Sequence, residues 1–87
     1  MDILYSGRVQ GVGFRLTVKT VAAGFEVTGT VKNLADGRVS LAAEGEEIEL
    51  QAFAQAIRDS GLGSFIRKEE SAWSDARSGF RGFEIVS

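Results

Sequence analysis

Residues 7–15 read GRVQGVGFR, a glycine-rich stretch that ends in an arginine. Gly11 and Gly13 permit tight turns and the close backbone approach with which loops bind phosphate. Helical periodicity begins at Phe14, so Arg15 falls in the first helical turn, where a cation is disfavoured by about 0.3–1 kcal/mol. The connector residues 7–13 include no Ser, Thr, Asp or Asn to cap the free helix amides. The stretch is either a flexible connector with Arg15 turned to solvent, or an anion site in which amides and guanidinium converge on a phosphate-sized ligand.

The composition narrows the chemistry that such a site could perform. With no His and no Cys among 87 residues, the chain has no zinc site of the usual kind and no Ser-His or Cys-His nucleophile pair. An enzyme must therefore work with Arg, Lys, Asn, carboxylates, hydroxyls and backbone amides. A net charge of -2 is also a poor match to generic nucleic-acid binding, which needs clustered cations. We expect no nucleic-acid partner.

Length and hydropathy indicate one small domain over residues 1–87. No apolar run approaches the roughly 20 residues that a membrane span requires. The N-terminus does not resemble a signal peptide, because Asp2 follows Met1 and no long apolar stretch comes after it. We expect a cytoplasmic protein that does not associate with membranes.

A second polar residue stands at the end of a predicted strand. Val27, Gly29 and Val31 alternate with polar residues, which is the pattern of a strand with one apolar face. Asn33 is the last residue of this predicted strand, and it lies on the same face because it follows Val31 by two residues. Asn often starts turns, so its simplest interpretation is a turn residue. Beside an anion site it would be a candidate ligand contact.

The remaining patterns complete the order of elements. Apolar residues at helical spacing predict a first helix over 14–23 with Gly24 just past its end, and a second helix after Gly45 that ends at Ser60-Gly61. Strands are predicted over 3–8, 27–33, 39–43 and 65–74 and around Phe83 and Ile85, with a turn at Asp36-Gly37 and entry to the last strand through Ser78-Gly79.

The order β-α-β-β-α-β predicts an α+β ferredoxin-like sandwich, an antiparallel sheet with two helices on one face. Tyr5 and Trp73 lie in predicted strands, where aromatic side chains usually belong to the core, and we expect both to be buried. This fold serves many activities and assigns none by itself.

Two ordered motifs resemble the signatures of one family. Residues 7–15 resemble the first signature of the acylphosphatase family, Gly-x-Val-Gln-Gly-Val-x-Phe-Arg. Residues 29–45, GTVKNLADGRVSLAAEG, resemble the second, including Lys32-Asn33. The closing GFRGFEIV is similar to the Phe-x-x-Phe-x-Ile ending of the family. Their order and separation make the resemblance specific.

The resemblance implies an acylphosphatase, an enzyme that hydrolyses acyl phosphates to carboxylate and inorganic phosphate without metal or cofactor. Arg15 would bind the phosphoryl oxygens, and Asn33 would orient the attacking water. The phosphate would also contact a cradle of backbone amides from Gln10, Gly11, Val12, Gly13 and Phe14. No general base is evident, so the substrate itself is a candidate acceptor of the proton from water.

The chain departs from the family pattern away from these residues. Thr30 stands where the family usually carries an aromatic residue, so a stacking surface is lost. Residues 61–64, GLGS, replace the usual Gly-Pro pair after the second helix. Neither change affects Arg15 or Asn33.

Two other functions remain open. RNA-recognition domains share this order of elements, but they carry aromatic residues on the central strands, where this chain has Val, Thr, Ser, Leu and Ala. A non-catalytic acylphosphatase-like anion-binding or regulatory module, of the kind fused to larger maturation enzymes, would keep the site without turnover. Because the chain has 87 residues and no partner domain, we expect a stand-alone, monomeric enzyme.

Overall fold

The computed structural model describes residues 1–74 and 79–87. Along this part of the chain the elements are β1 (Asp2–Gly7), α1 (Phe14–Ala22), β2 (Thr28–Asn33), β3 (Val39–Glu44), α2 (Glu47–Asp59), a short 3-10 helix (Leu62–Phe65), β4 (Ile66–Ala72) and β5 (Phe83–Ile85). Ser78, which was expected to lead into the last strand, lies outside the described residues.

The strands form one sheet in the order β4-β1-β3-β2-β5. Strand β1 is antiparallel to β3 and β4, and β2 is antiparallel to β3. The predicted α+β ferredoxin-like class is confirmed, but the sheet is mixed, because β5 runs parallel to β2. From β4 at one edge the chain returns to the other edge, where Phe83 pairs with Gly29 and its ring lies 5.6 Å from that of Phe53.

Helix α1 packs on the sheet through apolar residues at the helical spacing that predicted the helix. Phe14, Val18 and Ala22 are buried. The C-cap residue is Ala23, so Gly24 follows the helix as predicted, although its φ is not in the left-handed region. The apolar periodicity of this segment therefore places Phe14 at the first position of the helix.

The core lies between the helices and one face of the sheet. Its buried members come from the N-terminal residue, both helices, three strands, the loop at Val9 and the 3-10 helix: Met1, Ile3, Tyr5, Val9, Phe14, Val18, Ala22, Val31, Val39, Leu41, Ala43, Leu50, Phe53, Ala54, Ile57 and Leu62. On β2 the sheet also requires a glycine, because a Cβ at Gly29 would clash with the carbonyl oxygen of Ala42 and approach Ala43 Cα to 2.8 Å.

The segment predicted as a strand over 65–74 is shorter in the structure. Phe65 closes the 3-10 helix, β4 begins at Ile66, and Trp73 lies one residue beyond its end. Trp73 is 50% exposed, so the prediction that it is buried was wrong. It lies past the last residue of β4, an edge strand, and so outside the paired residues of the sheet. Tyr5, on central β1, is fully buried as predicted.

Candidate active site

The loop between β1 and α1 is attached to the body of the domain at its start. The N–H of Arg8 donates to the carbonyl oxygen of Phe65 at 2.9 Å, and the Val9 side chain is buried. Gly11 and Gly13 then adopt left-handed conformations, with φ of 78° and 77°. A Cβ at either glycine would meet no heavy atom within 4 Å. These glycines are therefore required for backbone conformation and not for space.

Helix α1 begins without a side-chain cap. Its N-cap residue is Gly13, no side chain of the described residues bonds to the cap, and the first turn contains no acidic residue. The N–H of Thr17 donates to the carbonyl oxygen of Gly13 at 3.0 Å, so the amides of the preceding turn have no partner within the helix. Such amides together carry a partial positive charge of about half a unit and favour an anion.

Arg15 adds a full positive charge at this helix end. The residue is partly exposed, and within residues 1–74 and 79–87 its guanidinium makes no hydrogen bond or ion pair. Arg58, by contrast, binds the carboxylate of Glu69 through two nitrogens at 2.8 and 3.1 Å, and that bond raises the pKa of Arg58. Arg15 therefore retains the planar set of donors that fits a phosphate bidentately.

Asn33 is the last residue of β2 and lies on the same face as buried Val31. Its Oδ1 atom is buried and has no hydrogen-bond partner among the described residues. A buried acceptor in this state costs about 1–3 kcal/mol. The protein therefore does not use the hydrogen-bonding capacity of this amide to stabilise its fold, which makes Asn33 a candidate ligand contact.

The sheet topology brings the loop and Asn33 to the same end of the molecule. Val39 of β3 pairs with Tyr5 of β1 on one side and with Asn33 of β2 on the other. With strands spaced about 4.8 Å apart, Asn33 lies about 10 Å from β1 across the sheet. Strands β1 and β2 run in the same direction, so the loop after one and the turn after the other leave the sheet together.

The Gln10 side chain makes a contact that was not predicted from the sequence. Its Nε2 atom donates to the carbonyl oxygen of Leu34 at 2.8 Å and to that of Arg38 at 3.0 Å. Both acceptors lie in the turn that follows Asn33. From the resemblance, Gln10 was expected to contribute only a backbone amide to the cradle. A side-chain contact across 24 and 28 residues leaves no trace in periodicity or motif spacing, so no local signal could have revealed it.

The turn between β2 and β3 is closed by its own hydrogen bonds. Leu34 N–H donates to Arg38 O at 2.8 Å, and Gly37, with φ of 94°, donates to Leu34 O at 3.2 Å. The Asp36 carboxylate accepts from the backbone N–H and the Nε of Arg38. These bonds, the backbone one foremost, lower the pKa of Asp36. The turn predicted at Asp36-Gly37 is therefore confirmed.

Cationic side chains collect at the end of the sheet that carries the loop and the turn. Five cations lie near the ends of β1 and β2, the starts of β3 and β4, or the start of α1: Arg8, Arg15, Lys32, Arg38 and Arg67. Carboxylates occupy the start of β1, the end of β3 and the start of α2 at the opposite end: Asp2, Glu44, Glu46, Glu47 and Glu49. One carboxylate, Asp36, lies among these cations in the turn between β2 and β3, where it pairs with Arg38. With five cations and this one carboxylate, this end of the molecule is positively charged in spite of the net charge of -2.

A cavity of about 210 Å³ lies at the opposite end, where Met1, Leu50 and Trp73 are among its lining residues. Neither Arg15 nor Asn33 lines it, so the candidate site is separate from this cavity. In the part of the chain that the structure describes, no group of three or more Asp or Glu side chains is placed to hold a metal ion. Neither helix in that part has the length and apolar character needed to cross a bilayer.

The family model for acylphosphatase matches residues 1–85. The chain belongs to the acylphosphatase family. The acylphosphatase of Bacillus velezensis is 42% identical over 83 residues, a match that covers 95% of this chain and 92% of that protein. The acylphosphatase of Archaeoglobus fulgidus is 38% identical over 86 residues and 96% of its length. The prediction that the chain is an acylphosphatase enzyme, which hydrolyses acyl phosphates, is confirmed.

Solved acylphosphatase structures support the same assignment. The crystal structure of acylphosphatase from Bacillus subtilis superimposes with a TM-score of 0.89 at 40% identity, covering 99% of this chain and 96% of that one. The crystal structure of HypF from T. kodakarensis superimposes with a TM-score of 0.84 at 30% identity, but the match covers only 11% of that chain. The acylphosphatase fold therefore occurs both as most of a short chain and as a small part of a long one.

Proposed function

We propose that this acylphosphatase binds the phosphoryl group of its substrate with Arg15 and the backbone amides of residues 10–14, and that Asn33 orients the attacking water. The observation that carries the proposal is the uncapped start of α1, where free amides and an Arg15 guanidinium without a partner in the described residues stand together. Both features favour a bound anion.

The proposed mechanism is direct displacement at phosphorus. Phosphoryl transfer depends mainly on positioning and on charge stabilisation at the equatorial oxygens. Arg15 and the amides stabilise that charge, while Asn33 holds water in line with the bond that breaks. The P–O bond to the acyl oxygen breaks as the new P–O bond to water forms. The leaving group is a carboxylate, so it needs little protonation, and an oxygen of the substrate accepts the proton from water.

We propose that the reaction needs no metal ion. In phosphoryl transfer a metal chiefly neutralises charge on the transferring oxygens. The amides and Arg15 provide positive charge at the same place, and the cationic end of the sheet adds a field that attracts an anionic substrate.

The test is hydrolysis of benzoyl phosphate by the intact chain in the presence of a metal chelator. We expect turnover at the same rate with and without the chelator. Loss of activity in chelator, with recovery on adding Mg²⁺, would contradict metal independence. An inert protein that still binds inorganic phosphate in a calorimetric titration would favour the anion-binding module, a possibility that the partial match to HypF raises.

Nucleic acid is not the proposed partner. On the described strands, the sheet face opposite the helices carries side chains such as Leu4, Thr30, Ser40 and Ala42 and no aromatic ring. Single-stranded RNA recognition by this fold relies on aromatic stacking at that face. We propose a monomeric cytoplasmic enzyme that acts on a small-molecule acyl phosphate, and band-shift and sedimentation measurements test the absence of nucleic-acid binding and the oligomeric state.

A further inference from the structure

The Gln10 side chain lies inside the hydrogen-bond network of the turn that follows Asn33. The carbonyl oxygen of Leu34 accepts from Gly37 N–H and from Gln10 Nε2, and the carbonyl oxygen of Arg38 accepts from Leu34 N–H and from the same Nε2. A carbonyl oxygen has two acceptor sites. The Gln10 amide therefore occupies the second acceptor site of each of the two carbonyl oxygens that close the turn.

This arrangement excludes one role for the Gln10 side chain. An amide NH₂ group has two N–H donors, and both are engaged by Leu34 and Arg38. The side chain therefore has no N–H left to donate to a phosphate, although the backbone amide of Gln10 remains part of the proposed cradle. What the side chain does is join the cradle loop to the turn next to Asn33.

The two halves of the proposed site have few other direct connections. The cradle follows β1 and Asn33 ends β2, with β3 between these strands. The two hydrogen bonds of Gln10 are the side-chain bonds that join the loop and the turn in the described part of the chain. Because in-line attack tolerates little misplacement of the water relative to phosphorus, the distance between cradle and Asn33 matters for the rate.

We propose that Gln10 is a positioning residue, whose side chain sets the distance and orientation of Asn33 relative to the phosphate cradle. The inference rests on the proposed function of Asn33 and deepens it. Phosphate affinity comes from the cradle and Arg15, so loss of the Gln10 side-chain bonds lowers kcat and leaves affinity for inorganic phosphate nearly unchanged.

The decisive substitution is Gln10→Met, which keeps the length of the side chain and removes both donors. We expect kcat for benzoyl phosphate to fall about 10- to 100-fold, with the dissociation constant of inorganic phosphate changed less than about threefold. Gln55→Met is the matched control, because the Gln55 side chain is exposed on α2 and, within the part of the chain that the structure describes, bonds only to Arg58 and Asp59. If Gln10→Met fails to fold, Gln10→Asn replaces it, since that side chain keeps the amide but is too short to reach the turn.

A double-mutant cycle with Asn33→Ala tests whether Gln10 acts through Asn33. Residues that act as a unit give strongly non-additive effects. We expect Gln10→Met to change kcat less than about threefold in the Asn33→Ala background. An equal loss in both backgrounds, or a loss that appears mainly as weaker phosphate binding, would overturn the inference. If Asn33→Ala alone retains full activity, the proposed role of Asn33 fails, and that failure is visible in the single variant before the cycle is read.

Discussion

The ring of Phe14 lies 5.0 Å from the ring of Tyr5, with the two planes inclined at 58°. Tyr5 is on central strand β1, and Phe14 is the first residue of α1, next to Arg15. Both rings are almost fully buried. The contact attaches the start of α1 to the sheet, so that the proposed phosphate site rests on two rigid elements.

Phe14→Ala tests this attachment. Loss of a buried aromatic ring leaves a cavity, and we expect the free energy of unfolding to fall by about 3–5 kcal/mol in urea denaturation. Leu16→Ala is the control on the same helix turn, because Leu16 is 64% exposed and surface changes stay within about 0.5 kcal/mol. Similar values for the two variants would show that the ring contact does not stabilise the start of α1.

Arg15 is the charged residue in the first turn of α1, and Arg15→Ala removes its charge from the proposed site. We expect kcat/KM for benzoyl phosphate to fall at least ~10²–10³-fold, by analogy with loss of an oxyanion-stabilising donor. Arg15→Lys keeps the charge but loses the planar fork, so we expect it to recover less than about a tenth of the activity. Lys19→Ala, an exposed cation later in α1, is the control. An Arg15→Lys enzyme as active as the unmodified chain would argue against bidentate binding.

Asn33→Ala is expected to lower kcat by ~10²–10³-fold, because the attacking water loses its orienting group. Binding of inorganic phosphate, measured by titration calorimetry, should change little, since cradle and Arg15 remain. Thr30→Ala, on the opposite face of the same strand, is the control. Weakened phosphate binding with unchanged kcat would assign Asn33 to the binding of phosphate instead of water.

Gly29→Ala and Gly13→Asn distinguish two reasons why a position requires glycine: lack of space for a Cβ and a left-handed backbone conformation. A Cβ at Gly29 would clash with the backbone of β3, whereas Gly13 has open space and only a left-handed φ. Asn tolerates that conformation better than most residues. We expect Gly13→Asn to cost at most about 1 kcal/mol and Gly29→Ala to cost more than about 3 kcal/mol or to prevent folding. The reverse order in urea denaturation would contradict this explanation.

Because the Tyr5 phenol is buried, we expect the protein to lose stability at alkaline pH. Burial, aided by the charge of Glu69, raises the pKa of Tyr5 well above its usual value near 10. The unfolded chain therefore releases the phenol proton at lower pH than the folded one. The stabilisation of the folded state that arises from this pKa difference is fully present below about pH 10, and it declines as the pH rises above that value.

The single tyrosine of the chain makes this measurable. Tyrosinate absorbance should appear together with the loss of helical circular dichroism, and tyrosinate in a still folded protein would contradict the prediction. Tyr5→Phe removes a buried hydroxyl that has no hydrogen-bond partner in residues 1–74 and 79–87. It should retain stability at neutral pH to within about 1 kcal/mol and show a smaller loss at alkaline pH.

The sequence predicted those parts of the molecule whose cause is local. The spacing of Phe14 and Val18 identified α1, the alternation through Val31 identified β2, and Asp36-Gly37 identified the turn, because period and turn chemistry act over a few residues. The roles proposed for Arg15 and Asn33 come from the resemblance and stay predictions. Burial of Tyr5 also followed from its strand pattern.

The remaining features depend on partners that are distant in the chain. Strand β5 is parallel to β2 because of where the chain returns after β4, and no pattern within Phe83–Ile85 encodes that direction. Trp73 is exposed because β4 ends one residue before it, and strand ends are weakly marked in sequence. The Gln10 contact is invisible for the same reason, since it joins the loop to a turn more than 20 residues later.

Central strand β1 is formed from the first residues of the sequence but pairs with β3 and with β4, where Asp2 lies opposite Ala72. Strand β1 is paired on both sides only after β4, far along the chain, has docked against it. Closing such a long loop costs conformational entropy, which slows the formation of the native strand pairing. The sequence contains no proline, so no prolyl isomerisation adds a slow phase. We therefore expect the time from synthesis to a working catalyst to depend on the search for long-range strand registers, this one and that of Gly29 in β2 with Phe83 in β5.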